Sequence, residues 1–169
     1  MEHDTNPAEA QFLIRPVTES DNVRLAALLR DVMEEFGATG AGTSLHDPEM
    51  ADMAAAYSAD RSVYFVVEHG GRLIGGGGFG PLAGALPGVC ELRKMYLTPA
   101  ARGGGVGRAL LARCIDLAGQ LGYQHMYLET RQTMQQARRL YERSGFAPVS
   151  KPLGHTGHFG CDAWYVRDL

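Results

Sequence analysis

The sequence predicts a single α/β domain that contains one parallel pair of strands. Its 169 residues, 45% hydrophobic and 21% charged, are enough for one core that needs no metal or disulfide to stabilise it. The clearest unit is a strand, a glycine loop at Gly103–Gly105, a helix from about Val106 to Leu121 and a strand at Tyr123–Glu129. A crossover helix between two strands makes them parallel, and ligands bind beyond the carboxyl ends of such strands.

Composition excludes several classes of function. The formal net charge of −3 gives no bulk attraction to nucleic acids or membrane surfaces. No apolar run approaches the ~18 residues of a membrane span, and the polar N-terminus lacks the regions of a signal peptide. The three cysteines, Cys90, Cys114 and Cys161, include no C-x-x-C pair, which favours a reducing compartment. We therefore expect a cytoplasmic protein with no nucleic-acid or membrane partner.

The start of the chain is predicted to hold a tail, a strand and a helix. Residues 1–11 are expected to be a flexible tail, and residues 12–169 to form the domain. Phe12–Pro16 has the composition of a short strand. A capping box at Thr18–Asp21 precedes apolar residues at helical spacing, so a helix should follow it and end at Gly37.

A loop and a short helix are then predicted to line a substrate site. The loop, Gly37–Leu45, is rich in glycine, alanine, serine and threonine. Asp47 and Pro48 should start a second helix that runs to about Tyr57, because proline is favoured in the first turn of a helix.

The middle of the chain predicts three strands. Ser62–Glu68 and Leu73–Phe79 form a hairpin through the turn His69–Arg72. Its second strand contains Gly75–Gly78, and glycines inside a strand indicate a bulge or a close backbone approach. A third strand is predicted at Val89–Leu97.

The end of the chain predicts one more helix and two closing strands. The helix should span Thr133–Ser144 and end at Gly145 as its C-cap. The strands are predicted near Phe146–Val149 and Asp162–Val166.

The glycine loop carries the clearest chemical signal. Glycines let consecutive N–H groups converge on one anion, and the following helix adds the positive end of its dipole. Arg102 and Arg108 flank the loop, so it suits a phosphate or pyrophosphate. A Walker loop is excluded because the chain has no Gly-Lys pair, and a dinucleotide fingerprint is excluded because Arg108 and Leu110 stand where glycine is required.

The loop does fit R-x-x-G-x-G, and here the sequence resembles the GNAT superfamily of acyl-CoA-dependent N-acetyltransferases. Glu91–Leu97 resembles the family's fourth strand, and the resemblance covers Val89–Val149. The family's A-x-x-x-Y-x-x-x-G-F helix is matched by Ala137, Tyr141, Gly145 and Phe146. One departure is Met134, where many members have asparagine.

The resemblance implies a GNAT fold, which is a mixed, mostly antiparallel sheet with one parallel strand pair and helices on both faces. It implies acetyl-CoA as the cofactor, with pyrophosphate on the glycine-loop amides and pantetheine along the fourth strand. The implied cofactor-binding residues are Met95, Tyr96, Leu97, Arg102, Gly103, Gly104, Gly105, Val106, Gly107, Arg108, Met134 and Ala137.

Direct attack of an amine on the thioester requires two proton transfers. An alkyl ammonium, with a pKa near 10, must lose a proton before it attacks. Glu91 is the candidate base, Glu129 is its rival, and a water relay stays open; Glu91 could instead be a surface charge or pair with Arg93 or Lys94. Tyr141 fills the family position of the acid that protonates the leaving thiolate.

A second pattern, H-x-x-H-x-x-C, is formed by His155, His158 and Cys161. These are residue types that bind zinc, but their spacing differs from standard sites, so no metal is predicted. We expect a loop that reaches the acceptor pocket, with His155 and His158 as substrate contacts or proton carriers. The basic pair Arg93–Lys94 is predicted to lie on a solvated face.

The sequence therefore predicts an enzyme that moves an acetyl group from acetyl-CoA to a primary amine in a ternary complex. The acceptor could be a small molecule or a peptide, and the oligomeric state, a homodimer included, stays open. A noncatalytic acyl-CoA-binding or sensing module is the main alternative. A metal-binding regulatory protein is the third.

Overall fold

The structure, a computed structural model, describes residues 12–169; the predicted tail, residues 1–11, lies outside the described residues. The strands are β1 (Leu13–Pro16), β2 (Val63–His69), β3 (Arg72–Pro81), β4 (Val89–Leu97), β5 (His125–Thr130), β6 (Ala147–Val149) and β7 (Ala163–Asp168). The α-helices are α1 (Asn22–Glu35), α2 (Met53–Ala56), α3 (Val106–Gln120) and α4 (Gln135–Arg143). None of the helices in this range is both long and apolar enough to span a bilayer.

The strands form one mixed sheet in the order β1-β2-β3-β4-β5-β7-β6. The β4–β5 pair is parallel and is joined through α3, whereas the other neighbouring pairs are antiparallel. This confirms the predicted parallel pair. The β4–β5 pairing ends at Leu92 and Leu128. In the described chain the rest of β4 has no strand on that side, so the sheet opens there.

Apolar residues cover both faces of the sheet. Phe65 and Val67 of β2 belong to a core with α3 and α4, whereas Tyr64 and Val66 belong to a second core with α1 and α2. Alternate residues of a strand point to opposite faces, so β2 serves both cores. The predicted helices on both faces are confirmed.

The glycine run of β3 faces a bulge in β4. Gly76 pairs with Tyr96 and Gly78 with Arg93, so two residues of β4 stand opposite Gly77. One of the two, Lys94, has a φ of +47°. A Cβ at Gly76 would lie 2.7 Å from the ring of Tyr64 and 2.9 Å from a backbone oxygen. The predicted bulge and close backbone approach are both present.

The predicted helix over Asp47–Tyr57 is wrong as a continuous element. A 3-10 turn spans Pro48–Ala51, and α2 begins only after Asp52, whose φ and ψ of −151° and 82° interrupt the helix. The Asp52 side chain accepts a hydrogen bond from the Ala55 N–H. A short polar side chain that bonds nearby backbone favours a cap over a helix interior.

Two smaller features concern the ends of elements. The capping box predicted at Thr18 and Asp21 is present, and α1 follows it directly. The strand predicted from Tyr123 begins instead at His125. Gly122 has a φ of +83°, and the Tyr123 N–H donates to Ala118. Tyr123 therefore belongs to the C-terminal cap of α3.

Candidate active site

Two cavities meet where β4 separates from β5. The larger, which we call the groove, has a volume of about 800 Å³ and is lined by the end of β4, the glycine loop and α4. The smaller, which we call the inner cavity, has a volume of about 60 Å³ and is lined by β4, β5 and the loops that contain Ser44 and His158. Both cavities are lined by Met95, Tyr96, Met134 and Tyr141.

The glycine loop delivers the N-terminus of α3 to the groove. Gly103 and Gly105 both have a φ of +82°, a conformation that glycine adopts without steric cost. Gly105 is the N-cap of α3, and no side chain caps the helix there. The first N–H groups of a helix have no partner within the helix, so this end is suited to an anion.

The two arginines that flank the loop differ in their bonding. The guanidinium of Arg102 donates to Glu35 at 2.6 and 2.8 Å and to the carbonyl of Leu97 at 2.9 and 3.1 Å. It thereby fastens α1 to the end of β4. Arg108 lines the groove, and in the described range it has no carboxylate within 4.0 Å. The freer cation beside the glycine loop is therefore Arg108.

Tyr141 lies at the junction of the two cavities. It projects from α4, only 7% of it is exposed, and its ring meets that of Phe146 at a centroid distance of 6.0 Å. Burial raises the pKa of its hydroxyl. Within residues 12–169 this hydroxyl has no hydrogen-bond partner. Tyr141 therefore offers a proton that is not already donated to another residue.

Glu91 lies in the inner cavity as half of an ion pair. Its side chain is only 7% exposed, and Oε2 accepts a hydrogen bond of 2.9 Å from Nε of Arg93. Arg93 also donates to the carbonyl of Pro81 at 2.6 Å. The ion pair with Arg93 that was considered for Glu91 is present, and the role of Glu91 as the base stays a prediction.

The prediction that Arg93 and Lys94 lie on a solvated face is wrong. Arg93 is partly buried against Glu91, and the Lys94 side chain is 1% exposed. The Lys94 ammonium donates to Asp47 at 2.6 Å and also to Glu49. The bulge in β4 provides the physical reason, because it takes this lysine out of the regular alternation of the strand.

Glu129 faces the same cavity from β5. Desolvation raises the pKa of its carboxyl and the nearby charge of Glu91 adds to the rise, which outweighs the lowering by Thr156 and His158. Its Oε1 atom is buried and, in the described part of the chain, has no hydrogen-bond partner. Glu129 is thus the less neutralised of the two candidate bases.

The two candidate histidines lie in different surroundings. Nε2 of His158 is 2.9 and 3.1 Å from the carboxylate oxygens of Asp47, and its Nδ1 is 3.9 Å from Oε1 of Glu91. The hydrogen bond to Asp47 raises the pKa of His158 despite desolvation. His155 is exposed and lines neither cavity.

Local sequence patterns place Asp47 and Glu49 in a segment predicted to line the substrate site, but they do not mark the individual residues around it. Asp47 and Glu49 come from the turn that was predicted to be a regular helix, and Tyr57 donates to Glu49 at 2.8 Å. Arg131 lines the inner cavity and donates to the carbonyls of Phe36 and Gly37 at 3.2 and 2.9 Å. No local motif marks these residues, since their partners are far away in the sequence.

Residues 25–146, which include the groove and most of the inner cavity, match the acetyltransferase (GNAT) family. The chain belongs to the GNAT family. It is an acetyl-CoA-dependent N-acetyltransferase, and this sets aside the noncatalytic binding module and a metal-binding regulator that has no catalytic activity. The mixed sheet, the β4 bulge and the glycine loop are thus parts of a GNAT domain.

The similarity to other GNAT proteins extends over nearly the whole chain. The uncharacterized N-acetyltransferase YjgM of Escherichia coli (strain K12) is 37% identical over 165 residues, which are 97% of this chain and 99% of YjgM. A GNAT-family acetyltransferase of Staphylococcus aureus Mu50 has the same fold, with a TM-score of 0.78, 17% identity and coverage of 94% and 99% of the two chains.

A third protein with a similar fold has a solved structure that contains ligands. N-acetylglutamate synthase of Neisseria gonorrhoeae, complexed with coenzyme A and N-acetyl-glutamate, matches with a TM-score of 0.70 and 24% identity. The match covers 96% of this chain but only 36% of the synthase. At this identity the likeness concerns the fold.

Proposed function

We propose that the protein transfers the acetyl group of acetyl-CoA directly to a primary amine held in the inner cavity, while both substrates are bound. The observation that carries this proposal is the meeting of the groove and the inner cavity at Tyr141. A thioester in the groove and an amine in the inner cavity would reach each other at that junction. Reactants held in contact gain a large rate advantage.

The groove is assigned to acetyl-CoA. The pyrophosphate is assigned to the N–H groups of Gly103–Gly107, with Arg108 adding a positive charge. The pantetheine arm is assigned to the free edge of β4 at Met95–Leu97, where no strand pairs on the β5 side within the described residues. Unpaired backbone groups at such an edge can bond an extended ligand as a strand would.

The inner cavity is assigned to the acceptor amine. The ammonium gives a proton to the carboxylate of Glu129, and the neutral amine then attacks the thioester carbonyl. The raised pKa of Glu129 brings this base closer to the neutral range in which a base works best. The carbon–sulfur bond breaks, and Tyr141 gives its proton to the departing thiolate. The nitrogen of the new amide releases its second proton, which returns to the Tyr141 oxygen directly or through water. Glu91, paired with Arg93, keeps a negative charge beside the ammonium.

A covalent route through Cys161 is not favoured. This thiol lines the inner cavity, and desolvation raises its pKa to about 12. The thiolate is the nucleophilic form of cysteine, and very little of it exists at neutral pH with such a pKa. Direct transfer is therefore the better proposal.

The first test is a calorimetric titration with acetyl-CoA, with coenzyme A, NAD and ATP as comparisons. We expect micromolar binding of the two coenzyme A compounds only. A panel of small amines, amino acids and peptides is then screened by thiol release. Intersecting initial-velocity lines are expected for a ternary complex, whereas parallel lines would overturn direct transfer.

The choice of base is tested with matched variants, Glu129→Gln and Glu91→Gln. With Glu129 as the base, kcat/KM rises with pH as Glu129 loses its proton, and Glu129→Gln removes this rise and lowers kcat/KM by roughly 100-fold. Glu91→Gln should keep the rise. The reverse pattern would assign the base to Glu91, and an unchanged rise in both would leave the role to a water relay.

A further inference from the structure

Three potential metal ligands converge in the inner cavity from three parts of the fold. Glu91 lies on β4, Glu129 on β5 and His158 in the loop between β6 and β7. One ligand atom from each lies within 4.8 Å of the other two, and no second such group of His, Cys, Asp or Glu occurs in residues 12–169. One imidazole nitrogen with two carboxylates suits divalent transition metals such as Zn²⁺.

Two of these side chains are held in their orientation by hydrogen bonds to residues outside the cluster. Asp47 can only accept a hydrogen bond, so Nε2 of His158 carries the hydrogen in their contact of 2.9 Å. This leaves Nδ1 as the side of the ring that faces Glu91, at 3.9 Å from Oε1. Arg93 holds the other oxygen of Glu91 at 2.9 Å. Carboxylate support behind a histidine ligand is a common feature of metal sites.

The carboxylate of Glu129 gives a second indication of a cation, which does not depend on the spacing of the three ligands. Its Oε1 atom is buried and lacks a hydrogen-bond partner within the described range. A buried carboxylate oxygen without a partner is costly, and a cation in the cavity would remove that cost. The neighbouring cationic groups do not bond this atom. Arg93 is paired with Glu91, and Lys94 is paired with Asp47 and Glu49. Arg131 donates to the carbonyls of Phe36 and Gly37, and His158 bonds to Asp47.

We propose that Glu91, Glu129 and His158 bind one divalent transition-metal ion in the inner cavity, with Asp47 as the residue that positions His158. The ion replaces the proton on Nδ1 and neutralises the two carboxylates. Since the amine is assigned to the same carboxylates, the ion excludes it and inhibits transfer. Only this inhibition rests on the proposed function, whereas the binding itself does not.

Calorimetry of the untagged protein with ZnCl₂ tests the site directly. We expect one saturable Zn²⁺ per chain, and no comparable binding of MgCl₂, which prefers oxygen ligands. His158→Ala and Glu129→Gln should each weaken binding at least tenfold. Asp47→Asn should weaken it by about tenfold, as removal of a supporting carboxylate does elsewhere.

His155→Ala is the matched control, because it removes the other histidine of the H-x-x-H-x-x-C pattern and His155 lines neither cavity. This variant should bind Zn²⁺ as the parent does, and circular dichroism should show that every variant is folded. The proposal is overturned if no saturable site is found, if His158→Ala binds as tightly as the parent, or if the control abolishes binding.

Inhibition is tested separately. With the best amine from the screen, Zn²⁺ should compete with the amine, and Glu129→Gln should lose Zn²⁺ binding in calorimetry whatever its residual activity. If no amine is acetylated, the proposed function fails while the calorimetric result still decides the metal site. If Zn²⁺ binds but does not compete with the amine, the inhibitory role is overturned.

Discussion

The groove and the inner cavity differ in the chemical groups that line them. The groove is wide, at about 800 Å³, and its distinctive wall is backbone: a glycine loop, an open helix N-terminus and an unpaired strand edge. The inner cavity is about 60 Å³, and its walls include ionisable side chains, of which Glu91 and His158 are already bonded to Arg93 and Asp47. Backbone suits a ligand that never changes, whereas the side chains of the proposed acceptor site would distinguish one amine from another.

The difference also concerns the state of each site before binding. In the groove, the first N–H groups of α3 and the guanidinium of Arg108 have no bonded partner in the described range, so an anion adds bonds without breaking any. In the inner cavity, Glu91 and His158 are held by Arg93 and Asp47. We therefore expect substitutions at the two sites to affect different measurements.

The largest effect is expected where the two cavities meet. Tyr141→Phe keeps the ring and removes the proton, so kcat should fall by roughly 100-fold, the usual loss for a missing acid, while the Kd of acetyl-CoA changes by less than about twofold. Single-turnover kinetics and calorimetry separate the two quantities. A fall in kcat of less than about threefold, or about 0.7 kcal/mol, would remove Tyr141 from the mechanism.

Tyr165→Phe is the matched control for that experiment. Its ring lies 6.3 Å from that of Tyr141, and its hydroxyl bonds to Glu142 and Arg138 outside both cavities. The protein should lose some stability and keep its kcat. An equal fall in kcat for both variants would indicate that packing around the rings, and not proton donation, limits the rate.

A second comparison tests the backbone character of the groove. Gly105→Ala places a side chain at a φ of +82°, whereas the neighbouring Gly104→Ala does not. A left-handed residue costs about 1–2 kcal/mol, and the free loop can relieve this strain by leaving the conformation that binds the anion. The Kd of acetyl-CoA should therefore rise about tenfold for the first variant and stay within twofold for the second. Equal affinities in calorimetry would show that the loop conformation does not govern binding.

The smallest expected effect concerns the bonded network of the inner cavity. Asp47 raises the pKa of His158, and its own pKa is lowered by His158 and Lys94 in spite of desolvation. The resulting stability is fully present between the two unfolded values, about pH 4 to 6.5. It declines as pH falls through the folded pKa of Asp47 or rises through that of His158.

Asp47→Asn should therefore lower Tm by a few degrees, about 1 kcal/mol, with the largest loss in this window. The NMR titration of the His158 ring should move to lower pH. Asp168→Asn is the control, because Asp168 and His125 are 2.8 Å apart but exposed by 90% and 46%. A pH-independent loss in Asp47→Asn would contradict the assignment.

The groove could be predicted from the sequence because its signals are local. Arg102–Gly107 form one continuous motif, and Tyr141 stands at a fixed spacing within α4. Glu91 and Glu129 of the inner cavity could be named as candidate bases, since they lie on the two parallel strands that border the opening. The positions of these residues follow from the order of strands and helices, which the hydrophobic periodicity and the glycine positions indicate.

The inner cavity was predicted only in part because its contacts join distant segments. Asp47 meets His158 across 111 positions and Lys94 across 47. The spacing of His155 and His158 could not show that one ring is exposed and the other bonded, because loop conformation decides this. The burial of Lys94 depends on the bulge opposite the glycine run, whose presence was predicted but whose effect on side-chain direction was not.

The buried lysine of the bulge has a consequence for how this enzyme can change. Lys94, on the strand assigned to pantetheine, is neutralised by Asp47 and Glu49, which belong to the turn beside the inner cavity. An ammonium left there without its anions would cost several kcal/mol. Exchange of the turn alone, in evolution or by grafting, would therefore destabilise the fold. Residues 47, 49 and 94 must therefore be exchanged together.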